Sequence, residues 1–84
     1  MKVKGKVLQA KLEERELVGK TDGVKKIHQI YHVLLMSVDG SDTEILNCES
    51  WNPQNFVLPE VGKDWVSPPI RSVNFDGPVG SVRF

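Results

Sequence analysis

Residues 27–38, IHQIYHVLLMSV, form the longest apolar run in the chain, and this run constrains the fold more than any other feature. It contains neither Gly nor Pro, and an Asp-Gly pair lies on each side of it. In a helix, its apolar side chains would point around nearly the whole circumference, and Val and Ile would lose rotamer freedom. In a strand, both faces are apolar, which is typical of the centre of a small barrel or sandwich. The run therefore predicts a buried central strand.

The length and the cysteine content indicate one small domain. A chain of 84 residues has a thin core, so each apolar strand residue matters. No stretch reaches the roughly 20 apolar residues of a membrane-spanning helix, and the first residues are too polar for a secretory signal. The single Cys48 cannot form an internal disulfide. These features predict a cytoplasmic protein without a membrane contact.

The first segment also alternates, but its apolar side chains change faces. Three lysines alternate with Val3 and Val7, and from Leu8 onwards the apolar set moves to positions 8, 10 and 12. Such a switch predicts a β-bulge at Val7 and Leu8, which bends a long strand around a barrel corner. A short helix over residues 9–16, which are good helix formers, is the competing interpretation. Lys2, Lys4 and Lys6 either form a positive surface or solvate an edge strand.

Turn residues separate the remaining strands. Gly, Thr and Asp at positions 19–23 predict a polar hairpin tip over residues 17–26, and residues 39–42 predict a second hairpin loop. Further strands are predicted at residues 43–51, 65–75 and 81–84. The strand over 65–75 must bend or lie at an edge, because Pro68 and Pro69 interrupt it. The pattern predicts a single all-β domain, a small five-stranded antiparallel barrel.

The order of these elements resembles an OB-fold. Residues 45–52, ILNCESWN, look like the third-strand region of bacterial single-stranded DNA-binding proteins, where apolar residues alternate towards an aromatic residue and a turn. Residues 77–82, GPVGSV, are similar to the glycine hairpin near the C terminus of the filamentous-phage single-strand DNA-binding proteins. The MKVK start and the Gly-Lys pair at 19–20 also fit that family. The phage proteins place a stacking aromatic residue in this hairpin, whereas this chain has Val79, so stacking would pass to Phe75 or another ring.

The resemblance implies a non-enzymatic protein that coats single-stranded DNA during replication, encoded by a phage or another mobile element and acting in a bacterial host cell. Such binding needs cations for the phosphates and rings for the bases, and it admits RNA as well as DNA. The residues expected to bind nucleic acid are Lys11, Arg15, Lys20, Lys25, Lys26, Tyr31, Trp51, Arg71 and Phe75. Tyr31 suits stacking and core packing equally. Trp51 ends a strand beside Asn52 and Pro53, which favours exposure, and Phe56 is expected to plug one end of the barrel.

The charge distribution both supports and opposes nucleic-acid binding. The net charge is zero, which offers little counterion release. Residues 1–34, however, carry eight Lys and Arg against four Asp and Glu, and the remaining chain carries three against seven. A homodimer that aligns two basic wings, residues 15–26, would strengthen phosphate binding, and we expect this state.

The sequence also admits two other functions. A metal-dependent hydrolase subunit would use His28, His32 and Cys48, but the two histidines of a strand lie about 13 Å apart and no carboxylate orients them. No phosphate-binding glycine loop or paired-carboxylate motif is present, so no catalysis, cofactor, metal or small-molecule substrate is expected. A protein–protein interaction or structural module is the alternative. It would use an exposed apolar rim formed by Trp65, Pro68, Pro69 and Ile70.

Overall fold

The structure is a computed structural model that describes residues 2–39, 42–75 and 77–84. This part of the chain forms the strands β1 (Lys4–Val18), β2 (Lys25–Asp39), β3 (Asp42–Trp51), β4 (Asp64–Val66), β5 (Ser72–Asn74) and β6 (Val79–Arg83). No described residue is helical, and the helix considered for residues 9–16 is wrong because these residues belong to β1. The described chain therefore contains no helix with the length and hydropathy that crossing a membrane requires.

The six strands form one curled sheet in the order β4-β1-β2-β3-β6-β5. Strands β1, β2 and β3 follow one another in antiparallel hairpins, β4 pairs with β1, and β5 pairs with β6. The two edge strands, β4 and β5, are joined by residues 67–71, so the chain itself connects the two edges of the curl. The predicted fold class, a small all-β barrel of OB-like form, is confirmed.

Two details of the predicted barrel differ from the structure. The expected fourth strand is divided into β4 and β5, because Pro68 and Pro69 have no amide hydrogen for a sheet ladder. Buried Ser67 holds this bend: its N–H donates to the Val3 carbonyl at 2.7 Å, and its hydroxyl accepts from the Val3 N–H at 2.9 Å. The last strand, β6, runs parallel to β3 rather than antiparallel. The long connection over residues 52–78 permits this crossover.

The central strand and the bulge lie where the sequence predicts them. β2 lies between β1 and β3, and its Val33 and Leu35 are fully buried. The β1–β2 register shifts between Val7 and Gln9, which leaves Leu8 as the additional residue of a β-bulge. The bulge allows Val7 before it and the residues after it to face the same core.

The core lies on the inner face of the curl. Its buried members are Val7, Val33, Leu35, Leu46, Cys48 and Val82. Phe56 closes one end, with ring centroids 5.4 Å from Tyr31, 6.2 Å from Trp65 and 5.1 Å from Phe84. The prediction that Phe56 plugs the barrel is confirmed.

The proposed apolar rim is largely wrong. Trp65 and Ile70 pack against the core. Trp65 points inwards because it pairs with Gly5, two residues before the buried Val7 on β1. Of the four rim residues, Pro69 alone is exposed.

Strands β1 and β2 extend beyond the barrel as a two-stranded ribbon, consistent with molecular dimensions of 50 × 26 × 20 Å. Residues 13–18 of β1 lie beyond the part of this strand that pairs with β4. At the tip, the Gly19 N–H donates to the Val24 carbonyl, Asp22 accepts from the Val24 N–H, and Gly23 has a φ of 65°. The predicted hairpin tip is confirmed. The hairpin loop predicted at 39–42 has its central residues, 40 and 41, outside the described residues.

Candidate functional site

The strand register brings a polar group of side chains together on the outer face of the sheet, opposite the core. Three cross-strand pairs align there: Arg15 with His28, Ile30 with Trp51, and Glu49 with Arg83. Side chains of directly paired residues lie on the same face, and this face alternates with the one that carries the core. Strands β1, β2, β3 and β6 therefore all contribute to one surface. We call the residues of these three pairs the outer-face cluster: Arg15, His28, Ile30, Glu49, Trp51 and Arg83.

Trp51 lies at the centre of the outer-face cluster. Its ring lies 5.4 Å from the Arg15 guanidinium carbon and 6.0 Å from that of Arg83, within the range of cation–π contacts. The imidazole of His28 lies 5.6 Å from it, at an interplanar angle of 56°. Ile30, the cross-strand partner of Trp51, is 0% exposed, although it belongs to the outer face. Trp51 itself remains half-exposed, so this face carries a ring that solvent can reach.

Two carboxylates balance the cations of the cluster. Glu13 accepts from Arg15 at 2.8 Å and from His32 Nε2 at 2.8 Å. These hydrogen bonds, that of Arg15 first, hold the pKa of Glu13 below its ordinary value. Glu49 pairs with Arg83 at 3.1 Å and also accepts from the Trp51 indole N–H at 3.1 Å.

Asn52 fixes the end of β3 against β2. Its N–H donates to the Gln29 carbonyl at 2.7 Å, and its side-chain oxygen accepts from the Gln29 N–H at 2.9 Å. Its amide nitrogen donates to His28 Nδ1 at 2.9 Å. The φ of 49° lies in the left-handed region, which Asn tolerates better than most residues. Asn52 thereby orients the imidazole that lies beside Trp51.

Two shallow grooves adjoin Trp51 at the end of β6. One, of about 480 Å³, extends from Trp51 past Phe56 to Arg71. The other, of about 280 Å³, lies between Trp51, Arg71 and Arg83. Arg71 and Phe84 line both grooves. The accessible surface around Trp51 thus includes a third guanidinium that does not belong to the cluster itself.

The predicted binding residues divide into four groups. Lys11, Arg15, Lys26 and Trp51 belong to the outer face by strand register. Tyr31 and Lys25 belong to the inner-face rows, and Tyr31 packs edge-on against Phe56. Of the two roles that the sequence leaves open for Tyr31, the structure shows core packing, because Tyr31 alternates with Ile30 and His32 and points away from the outer face. Lys20 lies in the hairpin tip, while Arg71 and Phe75 flank the short edge strand β5.

The basic wing is more nearly neutral than its lysines suggest. Within it, Arg15 pairs with Glu13, and Lys25 lies 3.9 Å from Glu16. The carboxylates of β1 thus offset part of the positive charge that the sequence places at residues 15–26.

Sequence reasoning missed Arg83 and treated His28 only as a metal ligand. The pairing of Glu49 with Arg83 arises from the parallel β3–β6 contact, which alternation within either strand does not reveal. One signal was available. In the last strand, Arg83 alternates with Val82 and Phe84, so it had to point away from the core.

The three candidate metal ligands do not meet. His28 and His32 belong to the outer face, whereas Cys48 is buried in the core on the inner face. Burial raises the pKa of the Cys48 thiol to about 12. Among the residues that the structure describes, no group of three or more His, Cys, Asp or Glu side chains could hold a metal ion.

Comparison with protein-family models, with curated proteins and with solved structures finds no match for this chain.

Proposed function

We propose that this protein binds single-stranded nucleic acid, DNA in the first place, on the outer face of β2 and β3. The observation that carries the proposal is the half-exposed ring of Trp51, with Arg15 and Arg83 beside it. An aromatic platform for bases next to cations for phosphates is what sequence-tolerant binding of single strands requires. Catalysis has no part in this proposal.

Stacking on Trp51 requires a base to compete with the two guanidinium groups. A cation–π contact at an exposed site contributes roughly 0.5–1 kcal/mol. A base stacked on an aromatic side chain contributes roughly 1–3 kcal/mol. A base therefore displaces a guanidinium from the ring, and the displaced Arg15 or Arg83 is then placed to pair with a neighbouring phosphate.

Three further cations, two on the outer face and one in the grooves beside Trp51, extend the surface proposed to bind phosphates. In the part of the chain that the structure describes, Lys11, Lys26 and Arg71 make no salt bridge. Arg15 and Arg83, by contrast, begin paired to carboxylates. We expect about three phosphate contacts, which corresponds to a slope of about −2 for log affinity against log salt, since each contact in a single strand contributes about −0.7.

The test is fluorescence anisotropy of labelled oligo-dT, titrated at several NaCl concentrations with the wild type and with Trp51→Leu. The variant should bind about 5- to 150-fold more weakly, the loss of one stacked base. Oligo-dT should also bind more tightly than a duplex of the same length, whose bases are already stacked on each other. A matched RNA strand reports the preference between DNA and RNA.

Val57→Ala is the matched control, because Val57 is 83% exposed and lies outside the outer-face cluster. It should bind like the wild type. Equal affinity of Trp51→Leu and Val57→Ala would contradict the proposal, and so would binding that salt does not weaken.

The ribbon supplies a surface for the homodimer that we also propose. Leu12, Val18 and Ile27 lie on one face of it and are 44%, 57% and 69% exposed. An isolated two-stranded hairpin is at best marginally stable, so this face benefits from a packing partner. The same face carries Glu16 on β1 and Lys25 on β2. A two-fold axis along the ribbon would place β1 of one copy over β2 of the other, with opposite charges facing.

The coating of single strands during replication, in a phage or another mobile element, is the role that we propose for this binding. It is supported by the OB-like barrel together with the position of Trp51 on the outer face of β2 and β3. In such barrels, this is the face that binds oligonucleotides.

A further inference from the structure

A larger groove lies at the open edge of the sheet, away from Trp51. Its volume is about 710 Å³, and its lining includes Val3, Leu46, Ile70 and Val73. The beginning of β1 forms one side and β5 with the residues before it forms the other. The curl is thus not fully closed at this end, and part of its apolar inner surface is accessible.

An exposed ring stands in this groove on a glycine platform. Phe75 is 58% exposed, and its ring packs against the backbone of Gly80 beside Leu46. A methyl group added to Gly80 would lie 2.8 Å from both Phe75 Cε1 and Leu46 Cδ2, so only glycine lets the ring rest there. Phe75 is therefore supported on one side and open to solvent on the other, the condition for stacking on a base.

The charges of the groove favour an anion. Lys2, Lys4 and Arg71 line it, and Glu44 is the one carboxylate among its described lining residues. None of the three cations forms a salt bridge within the described part of the chain. In contrast to the outer-face cluster, most of the positive charge here is not neutralised by neighbouring carboxylates.

Arg71 connects this groove to the Trp51 site, because it also lines both grooves beside Trp51. The backbone N–H of Arg71 donates to the Arg83 carbonyl at 2.6 Å, and this hydrogen bond holds the Arg71 backbone against the end of β6. Gly80, against which the Phe75 ring packs, pairs with Leu46 on the inner face. Trp51 lies on the outer face, five residues further along β3, which is a rise of about 16 Å along the strand.

We propose that a single strand bound at Trp51 continues past Arg71 around the open edge of the sheet and enters this groove. Phe75 then stacks on a second base, while Lys2 and Lys4 bind phosphates. The proposal rests on the function proposed above and assigns it a second base-binding site. One protein should accordingly engage a strand longer than Trp51 alone requires, within the range of about 4–16 nucleotides seen for a single OB-fold.

The experiment compares oligo-dT of about 4 and about 16 nucleotides, the limits of that range, by fluorescence anisotropy. Phe75→Leu keeps an apolar contact with Gly80 and removes the ring. We expect Phe75→Leu to reduce the ratio of the affinity for the long strand to the affinity for the short strand about tenfold. Trp51→Leu should weaken the binding of both strands. Val61→Ala, at a site 61% exposed and outside the groove, is the control. Thermal melting confirms that each variant is folded.

A second pair of variants tests the cations. Lys4→Gln should reduce the salt slope for the long strand by about 0.7, the contribution of one phosphate contact, and Lys63→Gln should not. If Phe75→Leu and Lys4→Gln match their controls while Trp51→Leu still weakens binding, the groove proposal is overturned and the Trp51 site stands. If Trp51→Leu has no effect but Phe75→Leu does, the groove binds alone and the strand path is overturned.

Discussion

Trp51 and Trp65 show how the position of a residue in the sheet decides what a large ring can do. Trp65 pairs with Gly5 in a short edge strand and packs against Phe56 and Phe84. Trp51 lies on the outer face, beyond the core, between two guanidinium groups. The same side chain thus stabilises the core in one place and remains accessible to a ligand in the other.

At the residue scale, Glu49 is expected to oppose nucleic-acid binding, because it holds Arg83 and the Trp51 indole N–H and repels phosphates. Glu49→Gln keeps the shape of the side chain and removes the charge. We expect affinity for oligo-dT to rise up to about fivefold, since an exposed ion pair contributes at most about 1 kcal/mol.

The control for this change is Glu60→Gln, an exposed carboxylate in the connection before β4. It should leave affinity close to the wild-type value at the same salt concentration. A loss of affinity in Glu49→Gln would show that this carboxylate organises the site rather than competing with the ligand.

At the scale of single elements, the ribbon formed by β1 and β2 is the part that the sequence predicts best. The change of apolar face at Val7 and Leu8 correctly indicates the bulge, and the glycines near residues 19–23 correctly indicate the tip. Both are local features: a face switch and a turn depend on neighbouring residues only.

The parallel pairing of β3 with β6 could not be predicted in the same way. Residues 45–49 of β3 contact residues 79–83, and no pattern within either segment states the direction or the register of this contact. For this reason Arg83 was missed as a neighbour of Trp51. The sequence does not decide between stacking and core packing for Tyr31, because β2 is apolar on both faces and alternation alone does not show which face is inside.

The ribbon face also yields a prediction about assembly. Ile27→Glu introduces a charge at the centre of the exposed apolar face and should convert a homodimer into a monomer, as measured by sedimentation equilibrium. Val57→Glu adds the same charge at an even more exposed site outside the ribbon and should leave the dimer intact. A wild-type protein that sediments as a monomer at all concentrations would contradict the proposed dimer.

At the scale of the whole molecule, the fold places the apolar core and the proposed binding site on opposite faces of one sheet. The inner face carries the apolar core and the aromatic plug at Phe56, while the outer face carries Trp51 with its charged neighbours. Because one curled sheet provides both faces, a chain of only 84 residues is long enough for a core and a separate outer surface. A ligand on the outer face therefore need not disturb the core.

The two tryptophans allow the most direct test of single-strand binding at the outer face. In a ¹H–¹⁵N correlation spectrum, each indole N–H gives its own signal, which can be assigned with Trp51→Leu. On addition of oligo-dT, the Trp51 indole signal should shift progressively, together with the side-chain signals of Arg15 and Arg83, and the Trp65 signal should stay in place. A titration in which the Trp51 signal does not move, or in which Trp65 alone responds, would contradict binding at this face.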